Sequence, residues 1–392
     1  MNNPTCSHTH HNGTPGGEDE TCGCSPCTCQ DQNASRESLP KPALISWNVT
    51  FRCPLQCPHC YIDARDGDSR TELDTQKALG VIDQIAALGT RVLILSGGEP
   101  LLRADIFELA AYAKESGLHV SMGTSGILID DAVAVRMKDA GIRKAAISLD
   151  STDPDMHDRF RGLPGAWNRT VEGIRACLRQ GIGVLVNITI LRENYRQVAE
   201  IISFCEGLGV TEYQLFFLVP TGRGTVVDDI TPEMYETIIK NVMAKTASGT
   251  VTIRPTCAPQ YTRIRAQLGM EQAAFPGCLA GKQYCRIYPT GDVTPCPYLP
   301  LTIGNVTKTP LSEIWQNSAV LNDLRNPDLL EGKCGACEYR SVCGGCRARA
   351  YGLHRTAGNT CGKLDEAHDL AGNYLAEEPW CSYVPEAAEG MP

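Results

Sequence analysis

Apolar residues recur along this chain in two alternating rhythms. Short strand-like runs lie at 43–50, 91–97, 119–125, 144–150, 183–190 and 212–219. Between them the apolar positions follow a helical period, as in "TELDTQKALGVIDQIAALG" (71–89), where Leu79, Ile82, Ile85, Ala86 and Leu88 share one stripe. Six strands alternating with helices predict an α/β fold with a parallel sheet, curved as a partial (β/α)6 barrel. Such a sheet carries its chemistry at the C-terminal ends of its strands. Residues 1–40 show no apolar periodicity and read as a disordered Cys/His-rich tail. The barrel is expected over 41–245. From 246 to 392 the chain turns loop-rich in Cys, Pro and Gly, which predicts a second, small domain held by metal.

Composition narrows the class. The 392 residues are 42% hydrophobic and 21% charged, as in a soluble globular protein. No apolar run is long enough to span a membrane and the N-terminus is not signal-like, so a cytoplasmic location is expected. A net charge of −9 argues against a nucleic-acid partner. The 20 cysteines fall in short clustered spacings on a large α/β chain, which favours metal or cluster ligation in a reducing compartment over disulfides.

The first strand runs into "FRCPLQCPHCYIDA" (51–64), where Cys53, Cys57 and Cys60 stand at C-x3-C-x2-C spacing. Three thiolates fill three corners of a [4Fe–4S] cube and leave one iron open to a non-protein ligand. A zinc site completed by His59 is the alternative that spacing alone leaves open. The later strand ends add context: "SGGEP" (96–100) with Glu99 beside two glycines, "GTSG" (123–126), "SLDS" (148–151), and Asn187 on the fifth strand. Glycines permit close backbone approach to a ligand. The hydroxyl and carboxylate groups suit an amino acid's ammonium and a ribose.

Over about 43–245 these motifs, taken in order, resemble the radical S-adenosylmethionine (SAM) superfamily. The resemblance implies that Cys53, Cys57 and Cys60 hold the catalytic cluster. It also implies SAM contacts from Tyr61, Gly97, Gly98, Glu99, Pro100, Ser125, Ser148 and Asn187. The reaction it implies begins with a 5′-deoxyadenosyl radical, which needs a closed, water-excluding site.

Farther along, "CLAGKQYCRIYPTGDVTPC" (278–296), "CGACEYRSVCGGC" (334–346) and Cys381 resemble the SPASM extension of radical SAM enzymes. This implies two auxiliary [4Fe–4S] clusters. Cys334, Cys337, Cys343 and Cys381 would hold one; Cys278, Cys296 and Cys346 would hold the other, with Cys257 or Cys285 as its fourth ligand. Cys285 shares a strand face with Ile287 and reads equally as a small buried hydrophobe, which inclines the choice to Cys257. Cys177 and Cys205 sit on apolar helix faces and read as core. Cys361 lies in a polar stretch, 354–372, that looks like an insertion. The tail cysteines and histidines, Cys6, His8, His10, His11, Cys22, Cys24, Cys27 and Cys29, could bind metal but fit a solvated appendage better.

"FFLVPTGRG" (216–224), "TCAPQY" (256–261) and "GNYLAEEPWCSYVP" (372–385) narrow the resemblance to radical SAM enzymes that trim the side chains of iron-bound tetrapyrroles. Within that group the nearest pattern is that of the haem synthases of the siroheme-dependent route. The expected substrate is then iron-coproporphyrin III, with relatives that remove acetates or act in denitrification haem synthesis as alternatives. A peptide or sulfatase maturase is a more distant one. Arg223, Arg254, Arg263, Arg347 and Arg349 are candidates to pair its carboxylates, because guanidinium does so bidentately. A ferredoxin or flavodoxin is the expected reductant, and a monomer the expected state.

Overall fold

The computed structural model describes residues 41–68, 70–226, 229–247, 249–270, 277–356 and 372–386. The tail reading and Cys361 lie outside them.

The six expected strands are present: β1 (Leu44–Asn48), β2 (Val92–Ser96), β3 (His119–Thr124), β4 (Ile142–Ser148), β5 (Gly183–Ile190) and β6 (Glu212–Phe217). They pair in sequential order, all parallel. Parallel neighbours need a crossover, and helices supply it: α1 (Thr75–Ala87), α2 (Ile106–Glu115), α3 (Asp131–Asp139), α4 (Pro154–Arg161), α5 (Ala166–Arg179) and α6 (Val198–Leu208). The Asp74 side chain caps α1 by accepting from the Lys77 N–H at 2.9 Å. Ala78, Val81, Ile82 and Ile85 are its buried stripe, so the face is rotated from the expected one; Leu79 and Ala86 are only partly covered.

Strand residues alternate between two faces with period two. Leu93, Leu95, Met122, Ala145, Ile147, Val186, Ile188 and Leu215 are fully buried in the main hydrophobic core. The residues between them, Ser96, Gly123, Ser148, Asn187 and Gln214, are half-buried and lie on the opposite face.

The sheet then extends beyond the expected six strands. After α7 (Pro232–Ala247), β7 (Thr252–Thr256) adds to β6. β8 (Tyr284–Ile287) adds in parallel to the free edge of β1, and β9 (Asp292–Thr294) and β10 (Gly304–Asn305) follow antiparallel. The order is β10-β9-β8-β1-β2-β3-β4-β5-β6-β7. The cysteine-rich region is therefore continuous with the barrel sheet, flanking it on both sides.

Candidate active site

The loop after β1 carries Cys53, Cys57 and Cys60. Cys53 and Cys57 are buried and form a small apolar cluster with Leu55, Ile62, Ala64, Ile127 and Ala166. Burial pushes the free Cys53 thiol up to about 12 and raises Cys57. Iron bound there would displace those protons, and the apolar collar would keep water from it. Two arginines fix the loop. Arg161 places Nη1 3.7 Å from the Cys57 sulfur and donates through Nε to Asp150 at 2.8 Å. A cation beside a cluster thiolate offsets its charge. Arg223 donates through Nε to the Cys57 carbonyl (3.0 Å) and through Nη1 to the Ala64 carbonyl and the Asp63 carboxylate (2.9 Å each).

The zinc alternative finds no support here. The His59 ring stacks on Phe160 with centroids 4.6 Å apart, and its Nδ1 is buried without a hydrogen bond. Among the described residues no three His, Cys, Asp or Glu side chains converge on a single-ion site; a cubane instead spreads its thiolates over separate corners.

Beyond β2, Gly97 and Gly98 lie against the backbone of the loop that carries Cys53. A Cβ on Gly98 would lie 2.3 Å from the Arg52 carbonyl oxygen, and one on Gly97 2.6 Å from that of Thr50. The close approach is thus to the cluster loop's own backbone. Gly98 and Glu99 N–H groups donate to Thr50 and Arg52 carbonyls at 2.8 Å each, splicing the two loops together. Pro100 opens a short 3-10 turn, and the fully buried Glu99 caps it. One Glu99 oxygen accepts from the Thr124 hydroxyl (2.7 Å), the other from the Ser125 hydroxyl (2.6 Å) and N–H (3.0 Å). Burial raises the Glu99 pKa despite these donors.

Ser148 and Asn187 are register partners across β4 and β5. Asn187 Oδ1 is buried without a partner, an acceptor suited to a ribose hydroxyl. Asp150 and Ser151 of "SLDS" turn away to Arg161 and Gln197. Tyr61 donates to Asn48 Oδ1 at 3.0 Å and meets Tyr298 edge-on at 5.3 Å.

Of the eleven remaining described cysteines, eight gather in two groups of four. Burial raises the Cys257 thiol well above its usual value, and the neighbouring Cys346, Cys296 and Cys278 push it further. Cys285 is fully buried in β8 with no cysteine acting on it. Cys257 adopts a left-handed backbone (φ 57°), uncommon for a residue with a side chain. Its carbonyl is held there by the Tyr235 hydroxyl (2.5 Å) and Arg349 Nη2 (3.0 Å). The second quartet, Cys334, Cys337, Cys343 and Cys381, lines one pocket together with Arg263 and Arg340. Cys334 Sγ accepts from Arg347 Nη2 (3.4 Å) and from the Glu378 N–H (3.3 Å). Cys177 and Cys205 are core residues, as expected.

The five candidate arginines are distributed differently. Arg223 and Arg347 serve the cluster loops; Arg263 pairs with Glu236 at 2.7 Å, and Arg349 with Glu378 at 3.1 Å. Their guanidiniums are engaged within the protein, so the structure does not gather them as a carboxylate-binding set. Arg254 is 60% exposed and 4.0 Å from Glu212. Arg286, which the sequence reading passed over, is instead buried on β8 beside Asn48 and Tyr61.

This is the architecture of an enzyme that uses an iron–sulfur cluster to cleave SAM and carries auxiliary iron–sulfur clusters. The Radical SAM superfamily model matches residues 47–205, and that of the SPASM iron-sulfur cluster-binding domain matches 278–347. The chain belongs to the radical SAM superfamily and carries a SPASM domain. It is 38% identical to the AdoMet-dependent heme synthase of Methanosarcina barkeri over 88% of this chain and 97% of that protein. Against the enzyme of the same name from Nitratidesulfovibrio vulgaris the identity is 37%, covering 91% and 97%. The pre-heme d1 synthase of Dinoroseobacter shibae is 32% identical, covering 90% and 88%. In fold, the chain resembles SAM-bound Streptococcus suis SuiB (TM-score 0.65, 17% identity, covering 79% of this chain and 74% of that one). Native anSMEcpe with bound AdoMet is similar too (TM-score 0.63, 18% identity, covering 85% and 94%). No helix among the described residues is long and apolar enough to cross a membrane.

Proposed function

We propose that this enzyme oxidatively decarboxylates two propionate side chains of iron-coproporphyrin III to vinyl groups, giving haem b. The observation that carries the reading is the pair of cysteine quartets beyond the SAM-binding triad, in a chain most of whose length matches AdoMet-dependent heme synthases. Each propionate that becomes a vinyl group loses one β-hydrogen atom, one CO2 and one electron. When bound, SAM and its cluster supply a 5′-deoxyadenosyl radical that takes the hydrogen.

The chain's own residues prepare that step. Cys53, Cys57 and Cys60 would hold the catalytic cluster, and Glu99 would accept from the methionine ammonium. Ser125, Ser148 and Asn187 would orient the methionine and ribose, and the apolar collar around Cys53 and Cys57 excludes water. Cys257, Cys278, Cys296 and Cys346 would ligate one auxiliary cluster, and Cys334, Cys337, Cys343 and Cys381 the other. Either gives the surplus electron a place to go. A ferredoxin or flavodoxin is the proposed reductant, and the proposed state is a cytoplasmic monomer.

The test is anaerobic incubation of reconstituted, reduced enzyme with SAM and iron-coproporphyrin III. The expected product has lost two formic-acid equivalents, with 5′-deoxyadenosine formed alongside. SAM cleavage with the porphyrin unchanged, but turnover of a siroheme-derived acetate substrate, would move the assignment to the deacetylating relatives.

A further inference from the structure

Arg286 is a buried cation without an anionic partner. It is 7% exposed, and its hydrogen bonds go to neutral groups: Asn48 Oδ1, the Tyr61 hydroxyl and, at 3.2 Å through Nε, the Tyr284 hydroxyl. No carboxylate among the described residues pairs with it, and its Nη2 makes no hydrogen bond to any of them. Among the described residues the other buried arginines hold an Asp or Glu, as Arg103, Arg161, Arg263 and Arg349 do, or, like Arg347, several carbonyl oxygens. A buried, uncompensated guanidinium is costly unless something anionic meets it.

A second observation concerns Asn48. Arg286 and Tyr61 both use its Oδ1, which fixes the orientation of the amide. Its Nδ2 is then buried with no acceptor. Arg286 Nη2 has no hydrogen bond, the adjoining Asn48 amide has a buried Nδ2 without an acceptor, and the two side chains meet at Asn48 Oδ1; the unmet need is for an oxygen anion.

We propose that Arg286, assisted by Asn48, is the receptor for a carboxylate of the bound substrate. This deepens the reading above and rests on it, because that substrate carries propionates. SAM also has a carboxylate, but strand order favours the substrate. Asn48 ends β1 and Arg286 lies on β8, whereas Ser125 follows β3, Ser148 ends β4 and Asn187 lies within β5, all on the far side of Glu99 in the strand order. Carboxylate and guanidinium match in a bidentate fork that Lys cannot reproduce.

The test compares wild type, Arg286→Lys and Arg286→Gln as anaerobically reconstituted full-length proteins, each checked for iron content. Iron-coproporphyrin III is titrated by its Soret absorbance, and SAM by equilibrium binding. The expected result is porphyrin affinity reduced about 10-fold or more in both variants, larger in Gln. SAM affinity should change far less, and the tetramethyl ester of the same porphyrin should bind all three proteins alike. Equal porphyrin affinity in wild type and variants overturns the Arg286 role alone. Loss of SAM affinity with porphyrin binding intact also overturns it, placing the methionine carboxylate there. A wild type that does not take up the porphyrin overturns the functional reading and this one together.

Discussion

Arg349 and Glu378 form an ion pair of 3.1 Å in which neither side chain meets solvent. The pair joins the two cysteine quartets. Glu378 accepts from the Cys346 N–H at 2.7 Å, while its own N–H donates to Cys334 Sγ at 3.3 Å. Arg349 in turn holds the Cys257 carbonyl. Replacing Arg349 with Ala leaves a buried carboxylate uncompensated, at a cost of about 3–5 kcal/mol. The expected outcome is a lower thermal midpoint together with iron lost from both quartets, read by iron analysis and visible absorbance.

Cys257 and Cys285 test the proposed ligand set. Cys257→Ala should lower iron content and weaken the cluster absorbance near 400 nm. Cys285→Ala, within β8, should keep full iron and lose only about 1–3 kcal/mol for the buried volume removed, read by denaturant unfolding. Equal iron loss in both would contradict the quartet described here.

Gly98→Ala and Gly80→Ala make a matched pair. At Gly98 the new methyl meets the Arg52 carbonyl at 2.3 Å, so the splice between the cluster loop and the loop after β2 must open. The expected loss is about 1–3 kcal/mol of stability together with a large fall in SAM affinity. Gly80, in α1, has open space around it, and Ala there should stabilise by up to about 1 kcal/mol with SAM binding unchanged.

The pH dependence of SAM binding should report Glu99. Burial raises its pKa in the SAM-free protein, so it takes up a proton more readily than an exposed carboxylate. An ammonium on the ligand favours the ionised form, so binding releases that proton. SAM affinity should therefore rise with pH up to the raised Glu99 pKa and level off above it. Glu99→Gln should bind SAM more weakly with that dependence removed; a slope surviving in the Gln variant would point to another group.

Much of this was legible in the sequence. All six barrel strands fall within two residues of their expected starts, because apolar alternation and helical stripes are local signals. β7 was not legible, and neither was the place of β8 beside β1, although Cys285 and Ile287 read as one strand face. "TIRPT" is short and holds a proline, and "YCRI" is four residues long; both are strands only because an open sheet edge receives them. The same non-locality hid Arg286, since a lone arginine in a cysteine-rich stretch looks like surface until the strand is laid beside Asn48. The surroundings of Arg223, Arg263, Arg347 and Arg349 were hidden in the same way: their charge is visible in the sequence, but the carboxylate and carbonyl groups that meet it come largely from distant segments.

The pairing of β8 with β1 also sets an order of events during synthesis. Ser46 and Tyr284, hydrogen-bonded across that seam, are 238 residues apart. Until the later strand leaves the ribosome, β1 keeps an open edge beside the loop of Cys53, Cys57 and Cys60. An unpaired edge invites association with other chains. A nascent chain stalled before β8 should therefore be both prone to aggregate and open to iron–sulfur delivery, and completion of the C-terminal third closes both routes at once.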